Sequence, residues 1–182
     1  PMAEMIDPKE VAAYKRDHPE CKVVAYVNTT TELKAVSDVC VTSSSAVQIV
    51  SRMEARDILF IPDQNLGSFV RKNCPDKNII TWNGCCPVHD KVTEKDVLEM
   101  KKRYPGYKLL VHPECKPEVV KHADYAGSTA GILSYARNTD ANILVGTEKA
   151  IADTLALEFP QRQFVPLSKR LMCQDMRITN LV

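Results

Sequence analysis

The chain repeats itself at an offset of 86 residues, and this repeat constrains its fold more than any other feature. Val23-Val24-Ala25-Tyr26 aligns with Leu109-Leu110-Val111-His112. The same offset pairs Pro1 with Pro87, Lys15 with Lys101, Pro19 with Pro105, Glu32 with Glu118, Asp38 with Asp124, and Thr42-Ser43 with Ser128-Thr129. After one deleted residue, Ile58-Leu59-Phe60 aligns with Ile143-Leu144-Val145, and Pro75 with Pro160. Single matches arise by chance, but matches in order over the whole length point to two copies of one unit.

Each copy has the pattern of a small α/β unit. Helices are expected over 8–16 and 94–103, strands over 23–27 and 109–111, and second helices over 31–37 and 117–122. A short strand and a Ser/Thr-rich turn follow, then helices over 46–53 and 132–137, strands over 58–61 and 143–145, a fourth helix and a last strand. Short apolar strands alternating with amphipathic helices imply parallel sheets covered on both faces. Right-handed crossovers then make each unit a three-layer αβα sandwich. The expected domains are 1–86 and 87–173, followed by a C-terminal segment, 174–182.

The repeat also sorts the seven cysteines. Their odd number and the adjacent Cys85-Cys86 pair argue against a disulfide framework and for reduced thiols in a cytoplasmic setting. Cys86 and Cys173 lie 87 residues apart, just after the last strand of each copy. Projected backwards, the offset puts a third equivalent cysteine directly before Pro1. The expectation is a pseudo-symmetric protein of three units, two of them in this chain, with one cysteine each around a common axis. Three such thiolates can hold a [4Fe–4S] cluster and leave one iron open as a Lewis acid. The plain alternative is that both are small buried apolar side chains. Cys21, Cys40, Cys74 and Cys115 have no cysteine at the matching place and read as structural, and Cys85 reads as a spacer or a redox partner.

Composition closes some routes. The net charge of +1 offers no nucleic-acid surface, and no apolar run approaches the roughly 18 residues that span a bilayer. Structural zinc would favour short Cys-x-x-Cys pairs, which are absent from the sequence. A flavodoxin-like electron carrier has only the Ser-rich turns in its favour. A non-enzymatic metal- or small-molecule-binding module of two Rossmann-like units remains the rival reading.

Several motifs resemble the quinolinate synthase family: Tyr26-Val27-Asn28-Thr29, Val41-Thr42-Ser43-Ser44-Ser45-Ala46, Pro62-Asp63-Gln64-Asn65-Leu66-Gly67, Trp82-Asn83-Gly84-Cys85-Cys86 through His89, His112-Pro113-Glu114-Cys115, Gly127-Ser128-Thr129 and Gly146-Thr147-Glu148. The resemblance covers essentially the whole chain. It implies three homologous α/β domains around a [4Fe–4S] cluster, and a transferase of NAD biosynthesis that condenses iminoaspartate with dihydroxyacetone phosphate to quinolinate, losing phosphate and water. L-aspartate oxidase or aspartate dehydrogenase would supply the iminoaspartate. The implied cluster ligands are Cys86 and Cys173, and Pro1-Met2-Ala3 resembles the residues that follow the family's first ligand, so that domain and cysteine are expected to lie outside this chain.

The resemblance makes Tyr26 and His112 proton-transfer groups, with Asn28 and Glu114 as orienting or acid–base groups at the ends of equivalent strands. Ser43 and the pair Ser128-Thr129 precede a helix in each copy. They fit either helix caps or a seat for an anionic substrate at helix N–H groups. His89 fits either a partner to the cluster ligands or a solvent-facing helix start, and Gly146-Thr147-Glu148 either a structural turn or part of the site.

Overall fold

A computed structural model describes residues 2–178; Pro1, with its match to Pro87, and 179–182, the end of the expected C-terminal segment, lie outside the described residues. The chain divides between Pro87 and Val88 into two units, each with its own four-stranded sheet. The first contains α1 (Pro8–Asp17), β1 (Lys22–Tyr26), α2 (Thr31–Ala35), β2 (Val39–Val41), α3 (Ala46–Arg52), β3 (Asp57–Ile61), α4 (Gln64–Asn73) and β4 (Asn78–Thr81). The second contains α5 (Glu94–Arg103), β5 (Lys108–Val111), α6 (Pro117–Val120), β6 (Tyr125–Ala126), α7 (Thr129–Arg137), β7 (Ile143–Gly146), α8 (Lys149–Glu158) and β8 (Phe164–Pro166). A final helix, α9, covers Gln174–Ile178.

Both sheets are wholly parallel and have the same order, β2-β1-β3-β4 and β6-β5-β7-β8. Successive residues of a strand point to opposite faces, so a run of buried residues needs cover on both sides. In the first unit Val24, Tyr26, Ile58 and Phe60 pack with Val50 of α3 and with Leu66 and Val70 of α4. Val23, Ala25, Leu59 and Ile61 pack on the other face with Val11 of α1 and Leu33 of α2. In the second unit Leu109, Val111 and Leu144 meet Val97 of α5 and Val119 of α6. Leu110, Ile143 and Val145 meet Ile132 and Ala136 of α7 and Leu155 of α8. Repeat partners therefore face equivalent helix pairs, and each buried aliphatic side chain contributes about 1.5–3 kcal/mol by leaving water.

The matched polar residues have matched partners. Val23 N–H donates to Asp38 Oδ2 at 2.8 Å, and Leu109 N–H donates to Asp124 Oδ2 at 2.9 Å. Lys15 Nζ donates to the Val36 carbonyl, and Lys101 Nζ to the His122 carbonyl. The first pair ties the start of each central strand to the loop entering its neighbour, and the second ties the first helix of each unit to the same loop.

Three helix boundaries lie two or more residues from expectation. α2 and α6 stop two residues short of expectation because the chain tightens into i→i−3 bonds, Ser37 N–H to Lys34 and His122 N–H to Val119. α7 begins three residues earlier than expected, at Thr129, because the Ser128 hydroxyl accepts from Gly131 N–H and caps it. In the first unit the cap position is Ser45 rather than Ser43, and the Thr42, Ser44 and Ser45 hydroxyls bond one another instead. Even so, Ala46 N–H donates to Thr42 C=O and Ile132 N–H to Ser128 C=O, so both helices open on equivalent bonds.

Candidate functional site

In each unit the chain leaves the first central strand toward one edge of the sheet and returns through the second central strand toward the other. In open α/β sheets ligands bind at the carboxyl ends of the strands where the order reverses, which here are β1 and β3, and likewise β5 and β7. Tyr26, Asn28, His112 and Glu114 lie at or just past the ends of β1 and β5, Ser43 and Ser128-Thr129 follow β2 and β6, and Cys86 and Cys173 follow β4 and β8.

In the first unit Tyr26 is the last residue of β1, buried with its ring among Val41, Ala46 and Phe60. Asn28, two residues on, is exposed. Ser43 is half-buried in the turn between β2 and α3. Thr29, for which the sequence suggests no role, is buried, and its Oγ1 has no hydrogen-bond partner among the described residues. At the end of β3, Asp63 is fully buried and caps α4, its Oδ1 accepting from Leu66 N–H at 2.7 Å. Its Oδ2 accepts from the backbone N–H of Cys86 at 2.8 Å.

The second unit gathers a buried polar cluster. His112 follows β5 at 4% exposure, and Glu114 is equally buried. Glu114 Oε2 lies 3.3 Å from His112 Nδ1 and 3.0 Å from His89 Nδ1, so one carboxylate oxygen stands beside two imidazoles. The two rings are 5.1 Å apart between centroids. His89 Nε2 lies 3.1 Å from the Thr147 hydroxyl at the end of β7. A neutral His89 with its proton on Nδ1 donates to Glu114 and accepts from Thr147. His89 is thus not the solvent-facing residue its place in the sequence allowed; Glu114 and Thr147 draw it inward. Burial pulls the His112 pKa down to about 4, His89 adds to the effect, and Glu114 opposes it. His112 is therefore neutral at physiological pH.

Ser128 and Thr129 are both half-buried at the start of α7, Ser128 as its cap and Thr129 as its first residue. Glu148, buried at the end of β7, caps α8 through Oε2, which accepts from Ala150 N–H at 2.6 Å. Its Oε1 receives the backbone N–H of Cys173 at 3.5 Å.

None of the seven cysteines is in a disulfide. Cys21, Cys74 and Cys115 are buried, with sulfurs directed to the carbonyls of Lys22, Val47 and Gly146, and Cys40 is exposed on β2. Cys86 and Cys173 differ from all four: they are half-buried, each follows its unit's last strand, and each has its N–H directed to a buried acid at the neighbouring strand end. Thiolates are soft donors, which suit zinc, copper or iron better than the hard-oxygen chemistry of magnesium or calcium.

A duplicated αβα unit with buried acid–base groups at its strand ends defines a doubly wound α/β protein. The chain belongs to the family described as quinolinate synthetase A protein, whose family model matches residues 1–182. It is 42% identical over its whole length to a quinolinate synthase of Clostridium kluyveri and 42% identical to one of Alkaliphilus metalliredigens. A quinolinate synthase of Dehalococcoides mccartyi is 43% identical over the whole chain. The chain spans 60% of the length of each of these relatives.

Proposed function

We propose that this chain supplies two of the three α/β units of a quinolinate synthase, which condenses iminoaspartate with dihydroxyacetone phosphate and releases phosphate and water in NAD biosynthesis. The observation that carries this reading is the buried His112–Glu114–His89 cluster at the end of β5, with His112 held neutral. A neutral imidazole at physiological pH can both accept and donate a proton, as the loss of water and the enamine–imine exchanges of such a condensation require. Glu114 orients the imidazoles and stabilises the proton when one of them takes it.

In this reading Tyr26 and Asn28 serve the same strand end of the other unit, with Tyr26 as the second proton-transfer group. Ser43, Ser128 and Thr129 bind the phosphate or carboxylates of the substrates through hydroxyls and helix N–H groups. Cys86 and Cys173, with a third cysteine from an upstream unit, hold a [4Fe–4S] cluster, which supplies a Lewis-acid iron for a substrate hydroxyl or carboxylate. The repeat units are 1–86 and 87–173, and seven cysteines without a disulfide fit a reducing cytoplasm. An L-aspartate oxidase or aspartate dehydrogenase is the source of the unstable imine.

The full-length protein, purified without oxygen and given both substrates, should be brown and should release quinolinate, read by mass spectrometry. His112→Gln and Glu114→Gln should each lower kcat by about 100-fold or more. A full-length protein that makes no quinolinate, or variants that turn over normally, would overturn the proposal.

A further inference from the structure

The two acids that cap α4 and α8 do more than begin a helix. In the first unit Asp63 Oδ1 accepts from Leu66 N–H while Oδ2 accepts from Cys86 N–H at 2.8 Å. In the second, Glu148 Oε2 accepts from Ala150 N–H while Oε1 faces Cys173 N–H at 3.5 Å. The main chain closes each link from the other side. Gln64 N–H, next after Asp63, donates at 2.7 Å to the carbonyl of Gly84, two residues before Cys86. Lys149 N–H, next after Glu148, donates at 2.8 Å to the carbonyl of Leu171, two residues before Cys173. Asp63 and Gly84 also form a parallel β-bridge, and a Cβ at Gly84 would come within 2.5 Å of the Pro62 carbonyl oxygen, so only glycine allows that approach. The same reciprocal clamp occurs twice, with an acid of different length in each copy.

We propose that Asp63 and Glu148 are positioning residues for the Cys86 and Cys173 thiols, each carboxylate bridging a helix start to the backbone of its cysteine. A carboxylate that receives two N–H bonds fixes two segments at once, and bonds to an ionised acceptor are about twice as strong as neutral ones. Ordering the cysteine turns before any metal arrives lowers the entropy lost on binding. The clamp itself is a property of the apoprotein. Only the identity of what the thiols hold rests on the proposed function.

The test uses the full-length protein, both metal-free and reconstituted with iron and sulfide. Asp63→Asn keeps an oxygen to cap α4, because asparagine caps as well as aspartate, but turns an NH2 group toward Cys86 N–H. Alkylation of Cys86 by iodoacetamide in the folded apoprotein, read by peptide mass spectrometry, should accelerate about ten-fold while Cys173 keeps its rate. Glu148→Gln should show the reverse selectivity. Asp63→Ser, which can cap but is too short to reach Cys86, provides a second variant if the asparagine protein does not fold. After reconstitution both variants should hold less iron, and what remains should have a more positive midpoint potential, because a negative charge beside a ligand has been removed. Asp38→Asn, at the opposite end of the first sheet, should change none of these readouts. Wild-type alkylation rates at the variant's own cysteine, or an equal rise at both cysteines, would overturn the clamp. A wild-type protein that takes up no iron while the alkylation pattern holds would overturn the proposed function and leave the clamp standing.

Discussion

Glu114 holds one oxygen within 3.3 Å of two histidines, and burial keeps one of them, His112, neutral. The sign of the resulting pH effect follows from His112. Its folded pKa of about 4 lies below the ordinary 6.5, so between these values the unfolded chain binds a proton that the folded chain does not. The stabilisation is complete above pH 6.5 and is lost as pH falls toward 4, and the full displacement is worth about 3 kcal/mol. Urea midpoints should decline across this window, and His112→Gln should flatten the decline. Parallel slopes for the two proteins would refute the assignment. The cysteines make a second expectation at this scale. Cys86→Ser and Cys173→Ser should each lower the iron content of the full-length protein, and Cys115→Ser should not, because the Cys115 sulfur is buried against the Gly146 carbonyl. Full iron loading of either ligand variant would remove it from the metal site.

The starts of α3 and α7 divide capping from binding at the scale of the element. Ser128 is the residue whose hydroxyl caps α7, while Thr129 stands inside the first turn, where alanine is a better helix former. Ser128→Ala should therefore cost about 1 kcal/mol in chemical denaturation. Thr129→Ala should leave stability near the wild-type value and, if the turn seats a substrate anion, lower kcat/KM by about ten-fold. A Thr129→Ala protein with reduced stability and normal kinetics would make the residue structural only. The order and type of these elements were legible in the sequence because helix and strand periodicities are local. Their ends were less so. Whether a serine or threonine near a helix start captures a free N–H depends on the exact path of the turn: the Ser128 hydroxyl caps α7, while the Ser45 hydroxyl makes no cap bond to α3.

Across the whole molecule, the repeat predicts that equivalent changes have equivalent effects. Burial would raise the pKa of Asp38, but the Val23 N–H bond and Lys15 outweigh it and lower the value. For Asp124, burial is likewise outweighed by the Leu109 N–H bond and Lys108. Carboxylates with lowered folded pKa values contribute stability above their unfolded pKa, near 4, and lose it as pH falls through the folded value. Asp38→Asn and Asp124→Asn should both destabilise at pH 7, and the deficit of each should shrink as the pH is lowered below about 4. Opposite signs for the two would break the equivalence.

The sequence by itself determined the two α/β units, the face that each strand residue presents, and the matched places of Cys86 and Cys173. An internal repeat carries all of that along the chain. Only the tertiary structure decided that Asp63 holds Cys86, 23 residues away, that Glu148 faces Cys173 across 25, and that His89 is drawn 58 residues onward to Thr147. These groups meet because parallel strands bring the ends of distant crossovers to one edge of the sheet. A buried acid or imidazole there must find its hydrogen-bond partners from whatever that edge assembles.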